Sequence, residues 1–356
     1  MAEAHARGLH DLAVLPSVDD IATVVDAAFW ASLRHEEGFS PRISLALASS
    51  ASCECPLLFD KALALTPAAL AHLAPAVERP GIHLGVWPTA EGQLQMWGTT
   101  RGIPAFCAVI EVIAPGVLVF KHRHVDDNVK YVNMAVLDGD EVKIVDEGVA
   151  APSNCPQLVA FLLGFQSRTS RKKSGTALVQ LAVSMRAHGR GGLLLIVPDN
   201  AKWQSSVALP IAYAINPPYT VLAESLRVSQ EKGDGHARDE AVRLAVEHVT
   251  GLTAVDGATV LNTSYDVLAF GAKIIRREGS EQVERALMRE PIEGREPEMV
   301  NPAQIGGTRH LSAVQFVHDQ RDAVALVASQ DGRFTVFEWS PENNVVHGHR
   351  VETLLL

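Results

Sequence analysis

From residue 81 to residue 145 the chain is cut into short β-type runs with a turn signal after each, which rules out a helical bundle for its first half. The runs are 82–87, 94–98, 106–113, 117–123, 130–137 and 142–145. Ala114-Pro115-Gly116 and Asp138-Gly139-Asp140 each join two of them, as hairpin turns do. Before them, Ser17 with Asp20 three positions on makes a capping pair, and Ile21, Val24, Val25, Ala28 and Phe29 recur at helical spacing. Residues 43–48 read as a short buried strand, and Thr66-Pro67 opens a second helix. These elements predict an α+β domain with an antiparallel sheet.

The pattern changes after 148–155, a stretch of prolines and alanines without periodicity, so the domain boundary is placed there and gives domains 1–150 and 151–356. Helical spacing returns at 157–165 and 177–187, and Gly189-Arg190-Gly191-Gly192 closes the second helix before a buried strand at 193–197. Asp234 can cap a helix running to Val249, with Gly251 past its end. Apolar segments follow at 255–261 and 266–274, then a short helix at 280–288, an acidic loop at 290–298, a helix at 308–316 and strands at 323–328 and 334–339. This succession predicts an α/β domain with a central mixed sheet flanked by helices.

Composition excludes several classes. The 356 residues are 47% hydrophobic and 20% charged, an ordinary globular balance, and the net charge of −10 argues against a general nucleic-acid binder. The longest uncharged stretch, 62–77, is broken by Pro67, His72 and Pro75, so no membrane span is expected, and residues 1–10 lack the apolar core of a secretory signal. Cys53, Cys55, Cys107 and Cys155 are too scattered for a disulfide framework, and a reducing cytoplasm is the expected compartment. Trp87 and Trp97 flank one hairpin and either line a pocket or pack the sheet. The polar loop Lys121-His122-Arg123-His124 with Asp126-Asp127 reads as a solvated hairpin end or an ion contact. The basic residues at 168–173 lack Walker-loop spacing and are read as a solvated turn, or as a contact for phosphates or a partner.

Two stretches carry chemistry. In Val255-Asp256-Gly257-Ala258-Thr259-Val260-Leu261 a carboxylate and a bare backbone interrupt an apolar strand, a poor way to build a core. In Gly306-Gly307-Thr308-Arg309-His310 free amides, a hydroxyl, a guanidinium and an imidazole fall within five residues. Those groups bind phosphate, and a helix starting at Thr308 would add its N-terminus.

With these motifs the chain resembles the diadenylate cyclase family, whose domain carries Asp-Gly-Ala, then Gly-Thr-Arg-His-Arg, then a strand ending in Ser-Glu or Ser-Gln. Here they read Asp256-Gly257-Ala258, Gly307-Thr308-Arg309-His310-Leu311 and Val327-Ala328-Ser329-Gln330-Asp331-Gly332. The likeness runs from about residue 155 to the C-terminus, with Gly191-Gly192-Leu193-Leu194-Leu195-Ile196-Val197 as the domain's first core strand, and leaves the N-terminal part outside it. Two departures stand out: Leu311 replaces the family's second arginine, and Gln330-Asp331 replaces its usual acidic pair.

The resemblance implies an enzyme that condenses two ATP into cyclic di-AMP and two pyrophosphates. Asp256 would orient or deprotonate the 3′-hydroxyl and, with His310 as a further candidate ligand, hold Mg²⁺ or Mn²⁺. Gly257 and Ala258 would let the nucleotide lie against backbone, and Gly307, Thr308, Arg309, His310 and Ser329 would grip its phosphates. The segment 270–274, with Ile274 in contact, would receive adenine. The active species would be a homodimer or higher homo-oligomer with catalytic domains face to face, and residues 1–150 would sense an unidentified signal. Two alternatives stay open: a nucleotide-binding sensor that has lost turnover, and a cyclase making a different cyclic dinucleotide.

Overall fold

The computed structural model describes residues 12–35, 38–124, 131–146, 172–231 and 236–356. The expected boundary at 148–155, the helix at 157–165, basic residues 168–171, Cys155, Asp126, Asp127 and the Asp234 cap lie outside the described residues. The chain divides into two compact units, Met1–Val145 with Leu356, and Asp146–Leu355.

In the first unit, strands β1 (Ile43–Leu47), β2 (Leu57–Ala64), β3 (His83–Pro88), β4 (Leu94–Thr100), β5 (Ala108–Ala114), β6 (Val117–Arg123), β7 (Tyr131–Asp138) and β8 (Glu141–Ile144) form one eight-stranded sheet in the order β2-β4-β3-β1-β5-β6-β7-β8. Helix α1 (Val18–Ser32) begins with the predicted capping box, in which the Ser17 side chain accepts from the Asp20 amide and the Asp20 carboxylate accepts from the Ser17 amide. Helix α2 (Pro67–Val77) is capped by the Thr66 hydroxyl. Val24, Ala28 and Ala31 of α1 and Leu70, Ala74 and Val77 of α2 pack on Leu45, Leu84, Ile110 and Leu118, so both helices cover one face.

The sheet is not purely antiparallel as expected, because β1 and β3 run parallel. The chain returns from β1 through α2, and a crossover of that kind brings the next strand back in the same direction. On the opposite face lies a buried polar chain: Ser44 Oγ is 2.7 Å from His83 Nδ1, and His83 Nε2 is 2.9 Å from the Tyr131 hydroxyl. Trp97 packs rather than lining a pocket. Its indole donates to the Ala48 carbonyl at 2.8 Å, and its ring lies where a Gly85 side chain would stand, 2.0 Å from an added Cβ.

In the second unit, β9 (Gly192–Val197), β10 (Tyr213–Tyr219), β11 (Ala258–Asn262), β12 (Val267–Ala272), β13 (Ala286–Arg289), β14 (Glu298–Val300), β15 (Val324–Ala328), β16 (Phe334–Ser340) and β17 (Val345–Arg350) make a nine-stranded mixed sheet. Its order is β10-β12-β11-β9-β15-β16-β17-β13-β14. Helices α3 (Lys172–Ala187), α4 (Val221–Glu231), α5 (His236–Thr253) and α6 (Thr308–Asp319) accompany it. Ala313, Val314, Phe316 and Val317 of α6 share a core with Leu193, Leu195, Val260, Ala325 and Phe337. Because side chains alternate along a strand, Leu194, Leu261 and Leu326 face the other way, toward the side contacted by α3 and α5.

Two expectations are corrected. The stretch 280–288 is not a helix but an irregular segment entering β13: the Ser280 hydroxyl bonds the buried Asp319 carboxylate, which also accepts from the Arg277 amide. Gly251 lies inside α5, not beyond it. Asp256 and Gly257 precede β11 in a bend, at the strand edge where a carboxylate and a glycine interrupting an apolar run are expected.

Candidate functional site

Register brings the two sequence motifs to one end of the nine-stranded sheet. β9 pairs parallel with β11, Leu194 against Thr259, and antiparallel with β15, Gly192 against Ala328. The starts of β9 and β11 and the end of β15 therefore coincide. Asp256-Gly257 sits just before one, and Ser329-Gln330-Asp331 just after the other. α6 starts at the same end, since its first residues and the β15 end line a common cavity of about 370 Å³ formed by 307–310 and 327–331.

Gly307 is the N-cap of α6 and offers no side-chain cap. The His310 and Leu311 amides bond back to the Gly307 carbonyl, whereas the Thr308 and Arg309 amides have no partner among the described residues. Two free amides and the exposed Thr308 hydroxyl thus stand at the positive end of a helix dipole. Ser329 is held in a tight turn, its amide donating to the Arg333 carbonyl at 2.9 Å.

Arg309 is half-buried and packs against Gly191, where an added Cβ would meet its Nη1 at 3.0 Å. His310 is buried beside Gly306 with its ring edge-on to Phe337. Burial lowers its pKa, with Arg350 and Arg333 adding to the effect and Asp331 opposing it, so the imidazole is neutral at pH 7.

Asp256 is exposed, and no group among the described residues bonds its carboxylate. Gly257 is required by geometry: its φ is +105°, and a Cβ there would stand 2.5 Å from the Gly271 carbonyl carbon. Ala258 opens β11 and is fully buried. Ile274 is half-buried past the end of β12 and lines a separate cavity of about 400 Å³ with Leu311. Gly307, Thr308, Arg309, His310 and Ser329 therefore share one cavity, Asp256 and Gly257 flank that end of the sheet, and Ile274 stands apart.

The donor set suits a divalent ion in one mode only. Among the described residues no three His, Cys, Asp or Glu side chains gather as a metal cage. One unpaired carboxylate is what a Mg²⁺-type ion takes when substrate phosphates and water supply its other ligands, and Asp256 fits that mode. Two larger cavities, of about 780 and 830 Å³, open around His318, and none of the candidate residues lines them.

In the sequence Gly189-Arg190-Gly191-Gly192 reads as a helix stop leading into the first core strand, and in the structure this turn lies between the two motif halves. The Arg190 amide donates to His188 Nδ1 at 3.1 Å, and His188 Nε2 is 3.3 Å from Thr253 Oγ1 at the end of α5. On the other side Gln330 Nε2 is 3.5 Å from the Arg190 carbonyl. An arginine set among glycines was the available signal.

Residues 10–101 match a family model described as a probable sensor domain, DACNV. No curated protein matches the chain. Two solved structures are similar. One is described as a hypothetical membrane spanning protein from Bacillus cereus, 15% identical, with 54% of this chain and 69% of that one covered and a TM-score of 0.29. The other is a double mutant of DacA from Staphylococcus aureus, 14% identical, with 45% and 78% covered and a TM-score of 0.24. The architecture above rests on the chain's own strand register. Among the described residues no helix is long and apolar enough to cross a membrane.

Proposed function

We propose that the second unit is a diadenylate cyclase, making cyclic di-AMP and two pyrophosphates from two ATP, and that the first unit regulates it as a sensor. One observation carries the reading: segments far apart in the chain, around Asp256, Thr308 and Ser329, meet at one end of one sheet with free amides, an unpaired carboxylate and an arginine. The match of residues 10–101 to a probable sensor domain supports the regulatory half. ATP as substrate fits a cytoplasmic location.

In this mechanism each 3′-hydroxyl attacks the other nucleotide's α-phosphorus. The new P–O bond forms as the bond to pyrophosphate breaks, and the hydroxyl proton leaves to Asp256 or, through it, to water. A bound Mg²⁺ or Mn²⁺ would neutralise phosphate charge beside Asp256. The Thr308 and Arg309 amides, the Thr308 hydroxyl and the Arg309 guanidinium would hold the departing phosphates, while neutral His310 and Ser329 add hydrogen bonds. Gly257 and Ala258 keep side-chain bulk away from the sugar, and Ile274, in its separate cavity, would give the base an apolar contact only where the nucleotide extends beyond the phosphate cavity.

A second reading, a nucleotide-binding sensor without turnover, draws on Leu311, which lines the Ile274 cavity and brings no charge to the phosphates. Incubating the pure full chain with ATP and Mg²⁺ or Mn²⁺ and weighing the products by mass spectrometry separates the two. Cyclic di-AMP from wild type and none from Asp256→Asn is the expected result. ATP binding without any cyclic product selects the second reading, and a cyclic product of another base selects a cyclase of different specificity.

A further inference from the structure

Leu311 stands where the diadenylate cyclase motif that the chain resembles carries a second arginine, and another arginine lies on the neighbouring turn. Arg190 is exposed between two glycines, and Gly191 beside it is the residue on which the Arg309 guanidinium packs. Gly191 has a φ of +70°, and a Cβ there would meet the Ala328 carbonyl at 3.2 Å as well as Arg309 Nη1, so a larger residue would displace the Arg309 guanidinium.

The turn is fixed from both sides. His188 Nδ1 accepts from the Arg190 amide, which leaves Nε2–H to face Thr253, and Gln330 reaches the Arg190 carbonyl. His188 also registers the charges around it: burial lowers its pKa first, and then Arg190 and Arg309 both lower it further. Among the described residues neither arginine has a carboxylate partner, and the nearby Asp331 is already paired with Arg333 at 3.4 Å. Arg309 lines the cavity formed by 307–310 and 327–331, and Arg190 stands on the turn beside it, its carbonyl within reach of the cavity residue Gln330, so an anion bound at this sheet end can draw on both guanidinium groups. The free amides of α6 open at the same end.

We infer that Arg190 is a phosphate-binding residue of the nucleotide site, pairing with Arg309 on the triphosphate tail in place of the arginine that Leu311 lacks. The inference rests on the proposed nucleotide reading and assigns a role to a residue outside the three motifs. A bidentate arginine recognises phosphate by geometry as well as charge, so the pairing belongs to the tail and not to the nucleoside.

The test is calorimetric titration of the full chain with ATP, pyrophosphate and AMP. Arg190→Ala should weaken ATP and pyrophosphate by about tenfold or more and AMP by less than about twofold, with Arg190→Lys between. An unchanged thermal midpoint is expected, since the Arg190 side chain makes no bond to the described protein. Wild-type ATP affinity in Arg190→Ala, or an equal loss for ATP and AMP, overturns the inference while leaving the nucleotide reading intact. Failure of the wild type to bind ATP or pyrophosphate overturns both.

Discussion

At Gly257 conformation and space give one answer. A φ of +105° and a neighbouring carbonyl carbon at 2.5 Å leave no room for a methyl group, so Gly257→Ala should cost about 2 kcal/mol or more of stability, read as a lower unfolding midpoint. Asp256 differs: exposed and unbonded, it contributes little to the fold, and Asp256→Asn should unfold within about 0.5 kcal/mol of wild type while product is lost. The buried histidine of the first unit gives a pH signature. Burial holds His83 near 4, against an ordinary value of 6.5; Lys121 also lowers it and Glu111 opposes. The unfolded chain therefore takes up a proton that the folded chain refuses. Stability from this group is complete above about pH 6.5 and is lost as pH falls toward 4, by on the order of 3 kcal/mol. Replacing His83 with Gln should flatten the dependence of the unfolding midpoint on pH over that window; an unchanged slope would assign the loss to other groups.

Among elements, α6 supplies most of the candidate site, because its first turn is left open. Gly307 has a φ of −72° and nothing within 4 Å of an added Cβ, so a carboxylate fits there without strain. Gly307→Asp should cap the helix, raising stability by a few tenths of a kcal/mol, and yet weaken ATP by about tenfold because the carboxylate occupies the amides and repels phosphate. Equal ATP affinity would place the phosphates elsewhere. The elements that patterning revealed were those whose signal is local: the capping box of α1, the Thr66-Pro67 start of α2, and the α6 start after Gly307. Those it missed owe their structure to partners. β2 is exposed along most of its length at a sheet edge, so it shows no apolar alternation. β10 contains the run Asn216-Pro217-Pro218, which argues against a strand; only its edge position tolerates the missing donors. β17 holds buried His347 and His349, polar residues that read as loop. In the candidate site, the motif residues stood out in the sequence because their chemistry is unusual for a core. The place of the Gly189–Gly192 turn beside them did not, because it depends on which strands become neighbours.

For the whole molecule, the number of nucleotide sites decides the reaction's geometry. Among the described residues one chain supplies one Asp-Gly-Ala element and one Thr-Arg-His element at one sheet end, which in the proposed reaction would serve a single ATP, whereas the proposed product joins two nucleotides reciprocally. A two-fold contact between sheet ends resolves this, since the same patch on each chain then presents its own 3′-hydroxyl to the other's α-phosphate. Specific activity should therefore rise with enzyme concentration in dilute solution, unless a stable oligomer already holds the sites face to face. Mixing wild type with excess Asp256→Asn should suppress activity below simple dilution, because a mixed pair keeps only one of the two carboxylates that activate the attacking 3′-hydroxyls and cannot close the ring. Light scattering recorded during turnover identifies the active species. Constant specific activity from a verified monomer would defeat the two-fold mechanism and require a second nucleotide site within one chain, and the large cavities around His318 would be the place to look for it.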